Sequence, residues 1–378
     1  MKIFAVILGL VLILMVLWET FETIVLPRRV TRQFRLTRFF YRSTWRPWTW
    51  LAALRSNKKK HDSLLSYYGP LSLLLLLALW ALTLVAGFGL LHYGLHDKLS
   101  GALFASDLGN AMYLSGTTLF TLGLGDVLPA SGVGRFITVL EAGIGFGYLA
   151  LVIGYLPVLY QAFSRREVTI SLLDARAGSP PTAYELLRRQ SGVHGMEALT
   201  ELLEDWEIWS ADLMESHLSY PVLAYFRSQH DNQSWIASLT AILDVCSLAM
   251  VGLEGMCQYQ ARMTFAIARH ALVDLSQVFS APPEKEEKIN RLPPETLDEL
   301  RKRLNAEGFV LAQGDGALQE LTRLRNLYEP YALSLATYLR LDLPPWIKGV
   351  VAKDNWQTTA WQLSQAQQQA IPAHDEHQ

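Results

Sequence analysis

Cysteine and net charge are both scarce in this chain of 378 residues. There are two cysteines, Cys246 and Cys257, and the formal net charge is -2. Two cysteines cannot form a disulfide framework or a four-ligand zinc site. Eleven positions apart on a helix, they return to nearly the same face. We therefore expect buried, reduced thiols.

Features of nucleic-acid and nucleotide binding are also missing. The chain is nearly neutral overall, and no glycine-rich loop follows a predicted strand. These absences exclude a Rossmann-type nucleotide domain. We expect no nucleic-acid partner, no organic cofactor and no catalytic activity.

Long apolar runs dominate the first half of the chain instead. Ile3 to Leu26 can cross a bilayer, and no small-x-small cleavage site follows it, so we interpret it as a retained helix rather than a signal peptide. Pro70 to Leu91 and Arg135 to Phe163 are two further spans. The sequence predicts an all-α, multi-pass protein of the cell membrane with three transmembrane helices.

The segment 27–69 is strongly basic. Between Pro27 and Ser66 there are eleven Lys or Arg residues and one acid, Asp62. Positively charged loops stay on the cytoplasmic side, so the N-terminus is expected outside and the C-terminal part in the cytoplasm.

Some arginines of this segment recur at every third position, as in a voltage-sensing helix. Intervening polar residues, and the single helix that precedes them, favour an interfacial helix whose arginines contact anionic lipid. The arginines are Arg29, Arg32, Arg35 and Arg38. The tryptophans predicted at headgroup level are Trp45, Trp48 and Trp50.

Two carboxylates, Glu19 and Glu22, share one face near the cytoplasmic end of the first span. A carboxylate there needs a partner, and we expect an arginine of the basic segment. A proton or cation sensor is the alternative.

An unusual glycine pattern lies between the second and third spans, at Thr121-Leu122-Gly123-Leu124-Gly125-Asp126, after a helix-compatible run from Leu108 to Leu119. Alternating glycines permit positive φ angles, so carbonyl groups that would alternate sides can all point one way. At membrane depth such backbone is tolerated only where it is buried or lines a water-filled path. We predict a re-entrant pore loop that binds dehydrated monovalent cations. The Thr121 hydroxyl would lie at its inner end and the Asp126 carboxylate at its outer mouth.

This hexapeptide resembles the filter signature T-V-G-Y-G-D of tetrameric potassium channels. With leucine in the tyrosine place, it is similar to the second filter of some two-pore-domain potassium channels. Pro129 and Gly134-Arg135 also match the family, and the resemblance covers residues 103–163. It implies a homotetramer, potassium ions as the only bound cofactor, and a gating hinge at Gly145. The implied potassium-binding residues are Thr121, Leu122, Gly123, Leu124 and Gly125.

Helical spacing assigns further roles in the third span. Phe146, Leu149 and Ile153 would line a cavity. Glu141 is expected behind the filter, accepting hydrogen bonds from the pore helix of its own or a neighbouring subunit, and Thr117 is the second filter support. Pro157 would kink the span at an inner gate, with simple helix termination as the alternative.

Beyond residue 164 the composition becomes soluble. We predict a linker over 165–181, an all-α cytoplasmic domain over 182–364 and a disordered tail over 365–378. A second linker is expected over Ala281–Pro294. Asp244 within the apolar run Trp235–Leu253 favours a core helix over a fourth span. The predicted helices of this domain are Thr182–Arg189, Met196–Leu218, Trp235–Ser280, Glu295–Asn305 and Ala317–Leu341.

Two positions depart from the family pattern. Phe120 replaces a usual threonine, and Leu124 replaces the tyrosine that braces the filter in many relatives. The expected function is a potassium-conducting channel, and the cytoplasmic domain is where an unknown ligand or protein could bind. The alternatives are a weakly selective monovalent cation channel and a non-conducting membrane-anchored signalling or scaffold protein.

Overall fold

The structure is a computed structural model. It describes residues 1–26, 36–95, 99–101, 103–104, 106–192, 194–230, 232–253, 258–285 and 290–348. The chain divides into two compact units, Met1–Gln161 and Ala162–Gln378. Within the described ranges, helices dominate both units, which confirms the predicted all-α membrane fold class. Cys257 and the predicted tail lie outside the described residues.

Among the described residues of the first unit, six α-helices begin and one small sheet accompanies them. The antiparallel sheet joins β1 (Leu99–Ser100) to β2 (Leu128–Pro129). The helices are α1 (Lys2–Thr20, continued by the π-helical turn Phe21–Val25), α2 (Leu36–Ala53), α3 (Lys58–Ser66), α4 (Tyr68–Gly94), α5 (Asp107–Leu119) and α6 (Gly132–Ala177).

The three predicted spans correspond to α1, α4 and α6, which are long and apolar enough to cross a membrane. α1 packs closely along α4, because a Cβ atom on Gly9 would lie 2.5 Å from the carbonyl oxygen of Gly87. Small residues at such contacts let helix backbones approach each other in a membrane.

The basic segment is anchored to α1 by Glu19. Its carboxylate accepts hydrogen bonds from the backbone N–H groups of Leu36 (3.1 Å) and Thr37 (3.3 Å) and from the Thr37 hydroxyl (2.8 Å). The start of α2 is a favourable partner, because helix N-termini carry unpaired N–H groups and partial positive charge. Glu22 accepts a hydrogen bond from the indole of Trp18 (2.8 Å).

The predicted lipid contacts of this segment need correction. Trp45 is 4% exposed, and its ring centroid lies 4.6 Å from that of Tyr68. The helix α2 directs this side chain towards α4 rather than to the surface. The Trp48 indole donates to the Leu64 carbonyl (3.0 Å), whereas Trp50 is exposed. The predicted contacts of Arg29, Arg32 and Arg35 lie outside the described residues.

In the described part of the second unit, seven α-helices follow. They are α7 (Ala183–Arg189), α8 (Gly195–Ser219), α9 (Trp235–Gly252), α10 (Gln258–Val278), α11 (Pro294–Ala306), α12 (Asp315–Asn326) and α13 (Glu329–Leu339). Two of the predicted helices are therefore each divided in two. Gly252, with φ of 125°, ends α9, and Pro330 fits the first turn of α13, where a missing N–H costs nothing.

The helix α9 also has the length and hydropathy of a span. Its side chains are nevertheless almost all buried in the second unit, and the Asp244 carboxylate accepts hydrogen bonds from Arg291 (2.7 and 3.1 Å) and from Tyr328. Burial lowers the pKa of Arg291, but the carboxylates of Asp244 and Glu329 outweigh this and raise it above its ordinary value. We interpret α9 as a core helix. Residues 290–293, predicted to belong to a linker, are thus tied to the core by Arg291.

Residues 165–177, predicted to be a linker, are helical because α6 continues to Ala177. Ile170, Leu173 and Ala177 recur at helical spacing and are buried in the second unit. The buried Arg166 donates hydrogen bonds to the carbonyl groups of Leu223 (2.9 Å) and Phe226 (2.7 Å).

Candidate ion pathway

The helix α5 begins with well-defined capping contacts. The Ser106 hydroxyl accepts a hydrogen bond from the Gly109 N–H (3.1 Å), as an N-cap residue does. The Asn110 side chain accepts from the N–H groups of Leu103 and Phe104 and donates to the Phe104 carbonyl, each at 2.9 Å. The preceding loop is therefore fixed to the first turn of α5, which is the predicted pore helix.

The filter segment, Thr121–Asp126, has left-handed backbone at every second residue. The φ angles are 58° at Thr121, 55° at Gly123 and 77° at Gly125. Glycine adopts this conformation without strain, whereas a β-branched threonine does so only when its surroundings impose it. The alternation is the backbone pattern that the glycine spacing predicted.

The Thr121 end of the filter segment is tied to the end of α5. The Thr117 carbonyl accepts hydrogen bonds from the N–H groups of both Leu122 (2.8 Å) and Gly123 (3.2 Å), and the Thr118 carbonyl accepts from Thr121 (3.0 Å). The Thr117 hydroxyl is directed back to the Leu114 carbonyl (3.0 Å). Thr117 contacts the filter segment through its main chain, and its role as a filter support stays a prediction.

The other end of the filter segment is held by Asp126. The Tyr113 hydroxyl of α5 donates a hydrogen bond of 2.7 Å to one carboxylate oxygen, and the Val127 N–H donates one of 3.0 Å to the other. The strand β2 follows and pairs with β1, with Leu99 opposite Pro129 and Ser100 opposite Leu128. Contacts to α5 thus fix both ends of the filter segment.

The side chains of the filter segment are largely exposed, although the Asp126 carboxylate is hydrogen-bonded to Tyr113. Leu122 is 64% exposed and Leu124 is 63% exposed, and the side chains of Thr121 and Asp126 are also exposed. Apolar side chains held outward on a fixed backbone need cover from outside the chain.

Glu141 of α6 is completely buried at a junction of three helices. It accepts a hydrogen bond from the Ser115 hydroxyl of α5, and its second oxygen lies 3.5 Å from Nε2 of His92 on α4. The Ser115 hydroxyl is also 2.9 Å from the Val85 carbonyl of α4. A buried carboxylate requires such partners. These contacts are made within one chain, and a role for Glu141 in supporting the filter stays a prediction.

The predicted hinge glycine lies at a tight contact. A Cβ atom on Gly145 would be 2.3 Å from the Leu119 carbonyl oxygen, so glycine lets α6 approach the end of α5. The helix shows no interruption there or at Pro157, since α6 runs from Gly132 to Ala177. The alternative interpretation, helix termination at Pro157, is therefore wrong, because buried residues beyond it keep the helix packed.

The predicted cavity residues lie on a free face of α6. Phe146 is 68% exposed and Ile153 is 64% exposed, and Leu149 is exposed as well. Their spacing places them together on the helix surface. Their assignment to a cavity stays a prediction.

Sequence reasoning missed three residues of this region, namely His92, Tyr113 and Ser115. Tyr113 and Ser115 lie on the predicted pore helix, two positions apart, and contact different partners on either side of it. Tyr113 lies four positions and Ser115 two positions before Thr117 on the same helix. Helical spacing could therefore have placed Tyr113 on the same face as Thr117 and Ser115 on another. Nothing in the sequence around His92 signals its contact with Glu141.

Comparisons with known proteins agree with this geometry. Residues 76–161 match the family model Ion_trans_2, described as an ion channel. Over 201 residues the chain is 27% identical to the uncharacterized membrane protein YdjJ of Bacillus subtilis (strain 168), covering 52% of this chain and 57% of that protein. Over 85 residues it is 36% identical to protein LctB of Bacillus caldotenax, covering 20% of this chain and 62% of that protein. No solved structure matches.

The chain therefore spans less than two thirds of the length of each of these curated relatives. The matched region begins in α4, includes α5 and the filter segment, and ends in α6. The predicted resemblance to pore-loop ion channels is confirmed by the match of residues 76–161 to the ion-channel family model.

Proposed function

We propose that four copies of this chain surround one axis and conduct potassium passively across the cell membrane. The main-chain oxygens of Thr121, Leu122, Gly123 and Leu124, with the Thr121 hydroxyl, would replace the hydration shell of the ion. The N-terminus would lie outside and the unit Ala162–Gln378 in the cytoplasm, and no catalytic step is involved. The observation that carries the proposal is the left-handed backbone at Thr121, Gly123 and Gly125.

Two features of the site support a cation rather than an anion. The C-terminal end of α5 meets the filter segment, and the end of a helix carries partial negative charge. Asp126 adds a carboxylate at the other end, where it would raise the local concentration of cations. Four copies are required because one chain has one filter segment, and the exposed Leu122 and Leu124 side chains need cover from neighbours.

The test is ion flux from liposomes that contain the purified full-length protein. We expect potassium efflux that barium blocks, with much weaker sodium flux. Gly123→Ala should abolish potassium efflux. A left-handed alanine costs about 1 kcal/mol, and this cost arises in each of the four chains. The matched control is Gly316→Ala in α12, where an added Cβ atom meets nothing within 4 Å.

The remaining outcomes separate the alternatives. Equal potassium and sodium flux would replace the proposal with a weakly selective cation channel. Absence of flux from a correctly assembled protein would contradict conduction and favour the scaffold alternative.

A further inference from the structure

The buried Arg166 joins α6 to α8 and to the segment 220–226, which follows α8. Its guanidinium group donates hydrogen bonds to the carbonyl groups of Leu223 (2.9 Å) and Phe226 (2.7 Å). The Trp209 indole of α8 donates to the main-chain carbonyl of Arg166 (3.2 Å). The side chain and the main chain of one residue therefore both hold α6 in the second unit.

The imidazole ring of His217 lies against the same guanidinium group. His217 is 1% exposed, and its Nε2 lies 3.1 Å from an Nη atom of Arg166. Its Nδ1 lies 2.9 Å from the Leu213 carbonyl oxygen and 3.1 Å from the Ser216 hydroxyl. A guanidinium group only donates and a carbonyl oxygen only accepts. Nε2 is therefore the acceptor and Nδ1 carries the proton, so these contacts require a neutral ring.

The groups around His217 also oppose a second proton. Within the ranges that the structure describes, Arg166 is the charged group that contacts the ring, and Glu167 of α6 is paired with Arg166 (2.8 Å). On the side of α9, the Trp235 ring lies 5.6 Å from the imidazole ring, between centroids. A proton on Nε2 would set a donor against a donor and a positive charge against a positive charge, in a buried site.

The packed form of this cluster thus excludes a proton that an opened form accepts. Burial, and then the charge of Arg166, lower the pKa of His217 well below its ordinary value. A solvated histidine binds a proton below about pH 6.5. The packed form is therefore fully stable above this pH and loses stability as pH falls below it. Between pH 7.5 and pH 5.5 the fraction of the opened form should rise about tenfold.

Opening of the cluster would act on α6, which is one helix from Gly132 to Ala177. Arg166, Ile170 and Leu173 are buried at helical spacing, so they enter the second unit from one face of α6. A proton on His217 would repel Arg166 and break its hydrogen bonds to the segment 220–226. The hold of the second unit on this face of α6 would then weaken.

We propose that His217 and Arg166 form a proton-sensitive clasp, in which a proton on His217 releases α6 from the segment 220–226 and thereby changes ion conduction. The change in conduction rests on the proposed function. The release of α6 does not, because it depends on contacts within the second unit alone. The two parts are therefore measured separately.

The release is measured by hydrogen exchange of the full-length protein in detergent at pH 7.5 and pH 5.5, corrected for the intrinsic effect of pH on exchange. In the wild type, the opened fraction of residues 213–226 should rise about tenfold. In His217→Gln it should stay constant, because the amide can accept a hydrogen bond from Arg166 but cannot be protonated. His217→Asn, whose amide can donate to the Leu213 carbonyl, is a second variant with the same expectation.

The matched control is His270→Gln in α10. The His270 side chain is 58% exposed, so this variant should show the same rise as the wild type. An equal opened fraction of the wild type at both pH values would overturn the proposal, and this measurement needs no variant. A tenfold rise that persists in His217→Gln or His217→Asn would also overturn it, since the proton would then bind elsewhere.

The effect on conduction is measured as potassium flux from liposomes at the same two pH values. We expect flux to change several-fold between pH 7.5 and pH 5.5 in the wild type and in His270→Gln, but not in His217→Gln. Equal wild-type flux at both values, alongside a release of α6, would overturn the regulation of conduction. Absence of flux at both values would contradict the proposed function, and the exchange measurement would still decide whether α6 is released.

Discussion

The hydroxyl of Tyr113 donates a hydrogen bond of 2.7 Å to the carboxylate of Asp126, thirteen residues further along the chain. This bond joins the middle of the predicted pore helix to the last residue of the filter segment. It limits how far Asp126 can move while the helix stays in place.

Removing this bond should destabilise the conducting form of the filter segment. Tyr113→Phe deletes the hydroxyl and keeps the ring, which also contacts Phe104. We expect potassium flux to decline several-fold faster after it begins. The measurement is the time course of flux in liposomes, with Tyr259→Phe in α10 as the control. Identical decay in the Tyr113 variant and the wild type would show that the bond does not hold the filter.

The junction of His92, Ser115 and Glu141 should be required for conduction. His92→Ala leaves one oxygen of the buried Glu141 side chain without its imidazole neighbour, and a buried polar group left without a partner costs about 1–3 kcal/mol. We expect most potassium flux to be lost, and partly restored when Glu141→Gln removes the charge as well. Flux and melting temperature are measured for each variant.

The control for this junction is Tyr148→Phe. Tyr148 also joins α6 to α4, through a hydrogen bond of 2.6 Å to the Leu77 carbonyl, but this bond does not include α5. Its removal should leave most of the potassium flux in place. If Tyr148→Phe lowers the flux as much as His92→Ala, contact between α6 and α4 in general is responsible, and the polar junction has no special role.

Gly145→Ala should disrupt the packing of α6 against α5. The added Cβ atom would lie 2.3 Å from the Leu119 carbonyl oxygen, so one helix must shift. We expect loss of flux and a lower melting temperature. Gly143→Ala, on the same helix with nothing within 4 Å of its Cβ position, should change the melting temperature little. Equal melting temperatures of the two variants would favour a hinge role without tight packing.

The stability of the second unit should fall in acid because of His217. Burial, with Arg166 nearby, lowers the pKa of His217 well below its ordinary value. The unfolded chain therefore binds a proton near pH 6.5 that the folded chain does not bind, so stability is full above this pH and is lost as pH falls below it. We expect the melting temperature of the full-length protein to drop less between pH 7.5 and pH 5 in His217→Gln than in the wild type. An equal drop in both would contradict the prediction.

The sequence predicts the filter segment well because its signal is local. Glycines at positions 123 and 125 permit left-handed backbone wherever they occur, and long apolar runs mark the flanking spans. The partners of Glu141 are different, because they depend on how α4, α5 and α6 pack together. A histidine 49 positions earlier in the sequence carries no sign that it will meet this carboxylate.

Helix boundaries show the same limit. The sequence predicts that a linker begins at Arg165 and Arg166, after an apolar run. The helix α6 nevertheless continues, because Ile170 and Leu173 are buried in the core of the second unit. Trp45 was predicted at the membrane surface from its residue type, but its packing on Tyr68 decides its place. In both positions tertiary contacts outweigh local preference.

One carbonyl group, that of Thr117, receives the N–H groups of both Leu122 and Gly123. Two neighbouring peptide units therefore share one hydrogen-bond acceptor, and the position of both depends on the same carbonyl group. A disturbance at the end of α5 would displace both together. We therefore expect closure that starts at this end to be abrupt, with no stable half-closed form.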